Sequence, residues 1–215
     1  MLSVHGRRPM AVILEPIARF LLKFGISPNA VTVVGAAITA VIAVTLIPSD
    51  HLVLAAILSG IFAAFDMVDG TMARKRGGGT SFGATLDATC DRITDGVLFG
   101  AITWWLIYHD HASRFIVIAA FTVLITSQVI SYVKARAEAG GLHLIGGLVE
   151  RPERLILGLV GIGLEGLGVP WAIETALILL AIGSIVTVIQ RLVMASRDPH
   201  AEDATAPPAG ASEAN

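Results

Sequence analysis

Residues 66–91 of the chain read DMVDGTMARKRGGGTSFGATLDATCD, which sets four aspartates within an otherwise apolar sequence. Asp66 and Asp69 are three residues apart, and Asp87 and Asp91 are four apart, so each pair falls on one face of a helix. The glycines at 77–79 interrupt the chain between the two pairs. The stretch therefore predicts two antiparallel helices whose carboxylates face one another across a short gap.

The composition of the whole chain indicates a membrane protein. Of its 215 residues, 54% are hydrophobic and only 15% are charged, and the mean hydropathy is +0.76. Soluble domains carry about 25% charged residues. We therefore expect an all-α integral membrane protein with a single domain and no nucleic-acid partner. The one cysteine, Cys90, excludes an intramolecular disulfide.

Six stretches are long and apolar enough to be spanning helices, which need roughly 20 residues. Lysine and arginine concentrate before the first stretch and in every second connection, and the other connections carry none apart from Arg114 at the edge of one. This alternation predicts a multi-pass protein of the cell membrane with both termini and the aspartates on the cytoplasmic side. The predicted spans are 28–48, 52–76, 84–108, 114–138, 153–169 and 171–195.

The two ends of the chain are expected to lie outside the six-span domain, which covers 28–197. In residues 1–27 the apolar side chains of Leu14, Ile17 and Leu21 recur at helical spacing among charges. This pattern predicts an amphipathic helix at the cytoplasmic membrane interface. Residues 198–215 are rich in Ala, Pro and Glu, which predicts a disordered cytoplasmic tail.

The aspartates need a balancing charge, because an unpaired charge within a bilayer costs about 2.5–3.5 kcal/mol on insertion scales. Carboxylate oxygens suit a hard ion such as Mg²⁺, with Mn²⁺ as the other candidate. Four carboxylates exceed the usual share of one magnesium, so two ions are expected, as in phosphoryl displacement. Gly70 and Gly83 leave room for a ligand, and Arg74 can hold a phosphate oxygen. The alternative is that Asp–Arg pairs only lock two helices together.

These residues resemble the CDP-alcohol phosphotransferase family, whose pattern D-x2-D-G-x2-A-R-x8-G-x3-D-x3-D is met without a departure. The resemblance implies a membrane enzyme, most simply a homodimer, that moves a phosphatidyl group from CDP-diacylglycerol to an alcohol and releases CMP. It implies that the four aspartates of the motif bind two divalent ions and that Asp91 is also the general base. It assigns the following residues to the donor: Asn29, Ala30, Val31, Thr32, Gly70, Arg74 and Thr80.

The acceptor alcohol is expected to be recognised by basic residues outside the motif, namely Lys134, Arg151, Arg154 and Arg191. Guanidinium groups suit a phosphorylated acceptor, whereas ordinary positive-inside flanking explains part of the same charge. The strings around Asp91, Lys134 and Arg154 resemble the actinobacterial phosphatidylinositol phosphate synthases, which implies inositol phosphate as the acceptor and phosphatidylinositol phosphate as the product. Glycerol phosphate, the acceptor of a phosphatidylglycerophosphate synthase, is the alternative.

Two further residues and two further function classes complete the expectations. Asp95 continues the spacing of Asp87 and Asp91 outside the family pattern, and we expect it to have a supporting or structural role. Cys90 is expected to face away from the aspartates and to pack among apolar side chains. The other classes are a divalent-cation transporter and a non-catalytic helical scaffold, and CMP release from CDP-diacylglycerol separates an enzyme from both.

Overall fold

A computed structural model describes residues 7–203, except for the side chains of residues 7–13 and Asp66. All regular secondary structure in this part of the chain is α-helical, which confirms the predicted fold class. The helices are α1 (Arg7–Lys23), α2 (Pro28–Leu46), α3 (Leu52–Lys75), α4 (Ser81–Tyr108), α5 (Arg114–Ala139), α6 (Arg151–Gly166) and α7 (Ala172–Ser196).

The helix boundaries follow from local signals in the sequence. Ser27 caps α2 by accepting a hydrogen bond from the backbone N–H of Ala30, and Thr80 caps α4 in the same way from Gly83. The Thr80 cap explains why α4 begins three residues before the predicted start of the third span. Likewise α6 begins at Arg151, ahead of the predicted 153, because Pro152 has the backbone angle of a first helical turn.

The helices after α1 run up and down, and their packing leaves a gap beside the aspartates. In the described part of the chain α2 packs against both α3 and α4, whereas α3 and α4 hardly approach each other. Helix α6 packs on α3 and α7, and α5 packs on α4 and α7. We call the end of the bundle where α3 ends and α4 begins the motif end. The gap between α3 and α4 opens at this end.

The apolar core lies toward the opposite end and is centred on the second half of α4. Leu98, Phe99, Ile102 and Leu106 are buried there against residues of α2, α3, α5, α6 and α7. The first half of α4 carries the charged residues and is only partly covered. Helix α4 is therefore anchored by its apolar half while its polar half faces the gap.

Four of the described helices, α2, α3, α5 and α7, have the length and composition of membrane spans. Helix α4 carries several charges in its first half, and α6 has 16 residues, about 24 Å at 1.5 Å per residue. The helices occur where the sequence predicted six spans, and the passage of all six through a bilayer stays a prediction.

Helix α1 packs on the motif end of α3. Leu14 and Ala18 are buried against Val68 and Met72 of α3, which lie beside Asp69 in the sequence. Lys75 Nζ lies 2.5 Å from Glu15 Oε1, and this contact holds the pKa of Glu15 below its usual value. A helix thus lies where the amphipathic helix is predicted, and its residues Leu14 and Ala18 cover α3. Its place at a membrane interface stays a prediction.

The structure differs from the predicted tail at 198–203, where the chain forms turns. Asp198 accepts hydrogen bonds of 2.9 Å from the backbone N–H groups of His143 and His200. These donors lower the pKa of Asp198 and tie the end of α7 to the loop after α5. The composition of the tail carried no signal for this local capping, and residues 204–215 lie outside the described part.

We predict that Gly161→Ala destabilises the bundle where α6 crosses α7. A Cβ at position 161 would lie 2.8 Å from Ala176 Cβ and 3.2 Å from Ile173 Cδ1. Over-packing of this kind costs about 1–3 kcal/mol, so the apparent Tm of the purified protein should fall by about 2–8 °C. Gly100→Ala on α4 is the matched control, because its Cβ would meet no heavy atom within 4 Å. Equal Tm values for the two variants would contradict the packing.

Candidate active site

A cleft lies between α2, α3, α4 and α6, and its volume is about 450 Å³ with the open side included. Its walls are mainly apolar, but Asp91 and Arg151 line it together. Cys90 also lines the cleft, so the expectation that it packs away from the aspartates is corrected. The reason is that α2 and α6 both flank α4, which leaves neighbouring faces of the helix open to the same space.

Asp69 and Thr32 meet where α2 crosses α3. Both residues are buried, and the Thr32 hydroxyl donates a short hydrogen bond to Asp69 Oδ2, while the backbone N–H of Gly70 donates to Oδ1. Thr32, which is predicted to bind CDP-diacylglycerol, therefore contacts Asp69, which is predicted to bind a metal ion. Asp66 belongs to the same helix one turn earlier, and its side chain lies outside the described part.

On α4, Asp87 and Asp91 follow one another by one turn, and both are half-buried. Arg151 Nη2 of α6 lies 2.7 Å from Asp91 Oδ1, and Arg92 Nη2 lies 3.8 Å from Oδ2. The carboxylate of Asp91, which is expected to be the general base, therefore contacts the guanidinium of a residue 60 positions further along the chain.

The start of α4 gathers a second group of predicted donor-site residues. A Cβ added at Gly83 would lie 3.1 Å from Thr80 Oγ1 and 3.2 Å from Asn29 Oδ1. Arg74 is exposed; its Nη2 donates a 3.0 Å hydrogen bond to Thr71 Oγ1 and its Nη1 lies over Gly70. Each of the two glycines thus leaves room beside polar side chains: Gly83 beside Asn29 and Thr80, and Gly70 beside Arg74.

The remaining two members of the predicted donor set point elsewhere. Val31 packs with the cluster formed by α1 and α3, and Ala30 is exposed at the first turn of α2. Their spacing on the helix separates them from Asn29 and Thr32. Their assignment to the donor stays a prediction.

The four predicted acceptor residues divide into two groups. Arg151 and Arg154 meet Asp91 and Asp95 across the cleft, and Arg154 is fully buried with its Nη2 on Asp95 Oδ2. The other two lie on α7 and α5. The nitrogens of Arg191 reach Ile130 O at 2.6 Å, Gly146 O at 3.3 Å and Glu150 Oε1 at 3.4 Å, and Lys134 Nζ lies 3.8 Å from Glu138 Oε1.

Arg191 therefore holds the loop that leads into α6. Its contact with Glu150 fixes the residue immediately before Arg151, and two further hydrogen bonds join this loop to α7: Val149 N to Thr187 Oγ1 and Leu148 N to Gln190 Oε1. In this arrangement α7 sets the position at which α6 and its two arginines begin.

Sequence reasoning left Arg92 out of the site. It lies next to Asp91, its side chain is one-quarter exposed, and Nη2 is 3.5 Å from Asp95 Oδ2. A signal for it existed, because Arg92 and Asp95 are three residues apart and share a face of the helix. Among the residues whose side chains are described, which leave out Asp66, no three His, Cys, Asp or Glu groups form a cluster that could hold a metal ion.

Comparisons with known proteins identify the family of the chain. The model of the CDP-alcohol phosphatidyltransferase family matches residues 25–197. The phosphatidylinositol phosphate synthase of Corynebacterium glutamicum is 61% identical over 211 residues, which cover 98% of this chain and 96% of the relative. That of Mycobacteroides abscessus is 50% identical over 204 residues, covering 94% and 92%.

Solved structures of the Mycobacterium tuberculosis phosphatidylinositol phosphate synthase have the same fold. The structure with CDP-DAG bound matches with a TM-score of 0.87 at 48% identity, covering 92% of this chain and 100% of that one. The complex with manganese and citrate matches with a TM-score of 0.85 at 48% identity, covering 90% and 93%. The motif in residues 66–91, the helical fold and these similarities together show that the chain belongs to the CDP-alcohol phosphatidyltransferase family.

Proposed function

We propose that this protein is a membrane phospholipid synthase that transfers the phosphatidyl group of CDP-diacylglycerol to inositol phosphate and releases CMP. The observation that carries the proposal is the placing of Asp91 and Arg151 in one cleft, a carboxylate beside a phosphate-binding group. The names of the relatives from Corynebacterium and Mycobacteroides favour inositol phosphate over glycerol phosphate.

Divalent ions fit the carboxylates that α3 and α4 carry at the motif end. Asp69 is buried, and a threonine hydroxyl and a backbone amide orient its two oxygens, as supporting groups do for metal-binding carboxylates. We propose that Asp66, Asp69, Asp87 and Asp91 hold two ions, Mg²⁺ or Mn²⁺, and manganese is the ion in the complex of the Mycobacterium tuberculosis relative. When bound, such ions would neutralise the diphosphate and the charge that develops on the leaving CMP.

The chain's own residues would then position the two substrates. Asn29, Thr32, Gly70, Arg74 and Thr80 face the nucleotide and diphosphate of the donor. Arg151 binds the phosphate of the acceptor, and because it contacts Asp91, the polyol hydroxyl is brought near that carboxylate. The hydroxyl oxygen forms a bond to the lipid-linked phosphorus, its proton passes to Asp91, and the bond between that phosphorus and CMP breaks.

The position in the membrane belongs to the same proposal. Six helices, α2 to α7, cross the bilayer, α1 lies at its cytoplasmic surface, and the motif end with both termini faces the cytoplasm. This orientation presents the cleft to a soluble acceptor while the acyl chains of the donor stay in the bilayer. A homodimer is proposed from the family resemblance alone.

The experiment is CMP release by purified protein with CDP-diacylglycerol and a panel of acceptors, the lipid product being identified by mass spectrometry. We expect turnover with inositol phosphate, and none with inositol or serine. Asp87→Asn should abolish turnover while the protein remains folded. A preference for glycerol phosphate would show that the acceptor is glycerol phosphate and not inositol phosphate. The absence of CMP release with every acceptor would contradict the proposed enzymatic activity.

We predict that Thr32→Val weakens metal binding, because it removes the hydroxyl that orients Asp69. Groups of this kind typically change metal affinity by about 10–100-fold, so half-saturation by Mn²⁺ should need roughly tenfold more ion. Both CMP release and the Mn²⁺-induced rise in Tm measure this. Thr32→Ser keeps the hydroxyl and should behave as the wild type, as should Thr45→Val, whose hydroxyl bonds only within α2. An unchanged Mn²⁺ requirement in Thr32→Val would refute the role.

We also predict that Arg151→Gln raises the acceptor KM by about tenfold or more, because hydrogen bonds between charged groups contribute roughly 1.5–3 kcal/mol. The donor KM should change little, since the donor lies against other residues. Arg151→Lys should raise the acceptor KM less than Arg151→Gln does, because an ammonium group keeps the positive charge but cannot make a bidentate contact with phosphate. Arg197→Gln, an exposed arginine at the end of α7, is the control. A loss confined to the donor KM would place Arg151 at the diphosphate instead.

A further inference from the structure

The carboxylate of Asp95 is fully buried and lies among three arginines. Its Oδ2 accepts a short hydrogen bond from Arg154 Nη2 and lies 3.5 Å from Arg92 Nη2. Its Oδ1 lies 3.5 Å from Arg151 Nε. One side chain of α4 thus holds two guanidinium groups of α6 and one of its own helix.

The cluster formed by Arg92, Arg151, Arg154, Asp91 and Asp95 has three positive groups and two negative groups. Arg154 is buried, and the side chains of Arg92 and Arg151 are only about one-quarter exposed. Nε and Nη1 of Arg154 have no hydrogen-bond partner within the described part of the chain. Buried donors without a partner are costly, so these two unused donors of Arg154 favour an anion beside the cluster.

We infer that Asp95 is a positioning residue for the phosphate of the acceptor. It fixes the guanidinium groups of Arg151 and Arg154 against α4, so that both are in place before the acceptor arrives. Asp95 itself contacts no substrate and acts through the arginines. The inference rests on the proposed function in one respect, namely that a phosphorylated acceptor binds beside Asp91.

A purely structural ion pair between α4 and α6 makes a different prediction. Loss of such a pair would lower the Tm and the amount of active protein, but it would leave both KM values of the folded enzyme unchanged. A positioning residue changes the acceptor KM selectively, because misaligned arginines lose their contacts with the phosphate.

The first test is Asp95→Asn, which removes the charge at nearly constant volume. We expect the acceptor KM to rise by about tenfold or more and the donor KM to stay within about threefold. Inorganic phosphate supplies a readout without turnover, since the phosphate concentration that half-saturates the rise in Tm should increase in parallel. Thr103→Val, a buried polar residue two turns further along α4, is the matched control. An unchanged acceptor KM and phosphate midpoint in folded Asp95→Asn would overturn the inference.

The second test is a double-mutant cycle with Arg154→Gln. If Asp95 acts through Arg154, the double variant should have an acceptor KM within about twofold of the worse single variant. If the factors by which the two single variants raise the acceptor KM multiply in the double variant, Asp95 acts independently of Arg154, and the inference is overturned. If Asp95→Asn does not fold, Asp95→Glu keeps the charge but moves it by one methylene, and it should still raise the acceptor KM at least about threefold.

The two proposals fail in different ways. Wild-type protein that turns over neither inositol phosphate nor glycerol phosphate contradicts the proposed function, while the phosphate-dependent Tm still tests Asp95. Wild-type protein that turns over a phosphorylated acceptor, with the same acceptor KM in the folded Asp95 variants, contradicts the role of Asp95 alone.

Discussion

Helices α3 and α4 are held apart, and the arrangement of the site follows from this separation. Both helices carry aspartates at the motif end, and helices packed directly together would leave no space for a ligand between those carboxylates. Helix α2 packs against both, and α6 covers the opposite side of the gap. The negative charges of the aspartates are stabilised separately: Thr32 and Gly70 donate hydrogen bonds to Asp69, and Arg151 contacts Asp91.

The proposed site has two chemically distinct sides that share α4. In that proposal Asp69, Thr32 and the residues near Thr80 serve the metals and the nucleotide, and the arginines of α6 serve the acceptor. Helix α4 can serve both because its apolar half, with Leu98 and Phe99, is fixed in the core. The proposal therefore places the reaction at the first turns of a helix whose other end is buried in the apolar core.

The sequence predicted the helices well, because their signals are local. Apolar stretches and the capping residues Ser27 and Thr80 determine where helices begin and end, and the spacing of the aspartates determines the face that they share. The contact between Arg151 and Asp91 is different, because helical periodicity does not show which helices meet. The same limit applies to Arg92, to the full burial of Arg154, and to Arg191, whose contacts with a loop depend on the packing of α5 against α7.

We propose that the gap between α3 and α4 binds the divalent ions used in the reaction. The most direct measurement is anomalous diffraction near the manganese absorption edge, from crystals of the protein grown with Mn²⁺. The account predicts two peaks about 3.5–4 Å apart, each within coordination distance of carboxylates from both helices. Peaks elsewhere in the molecule with none between α3 and α4, from protein that is active with Mn²⁺, would contradict it.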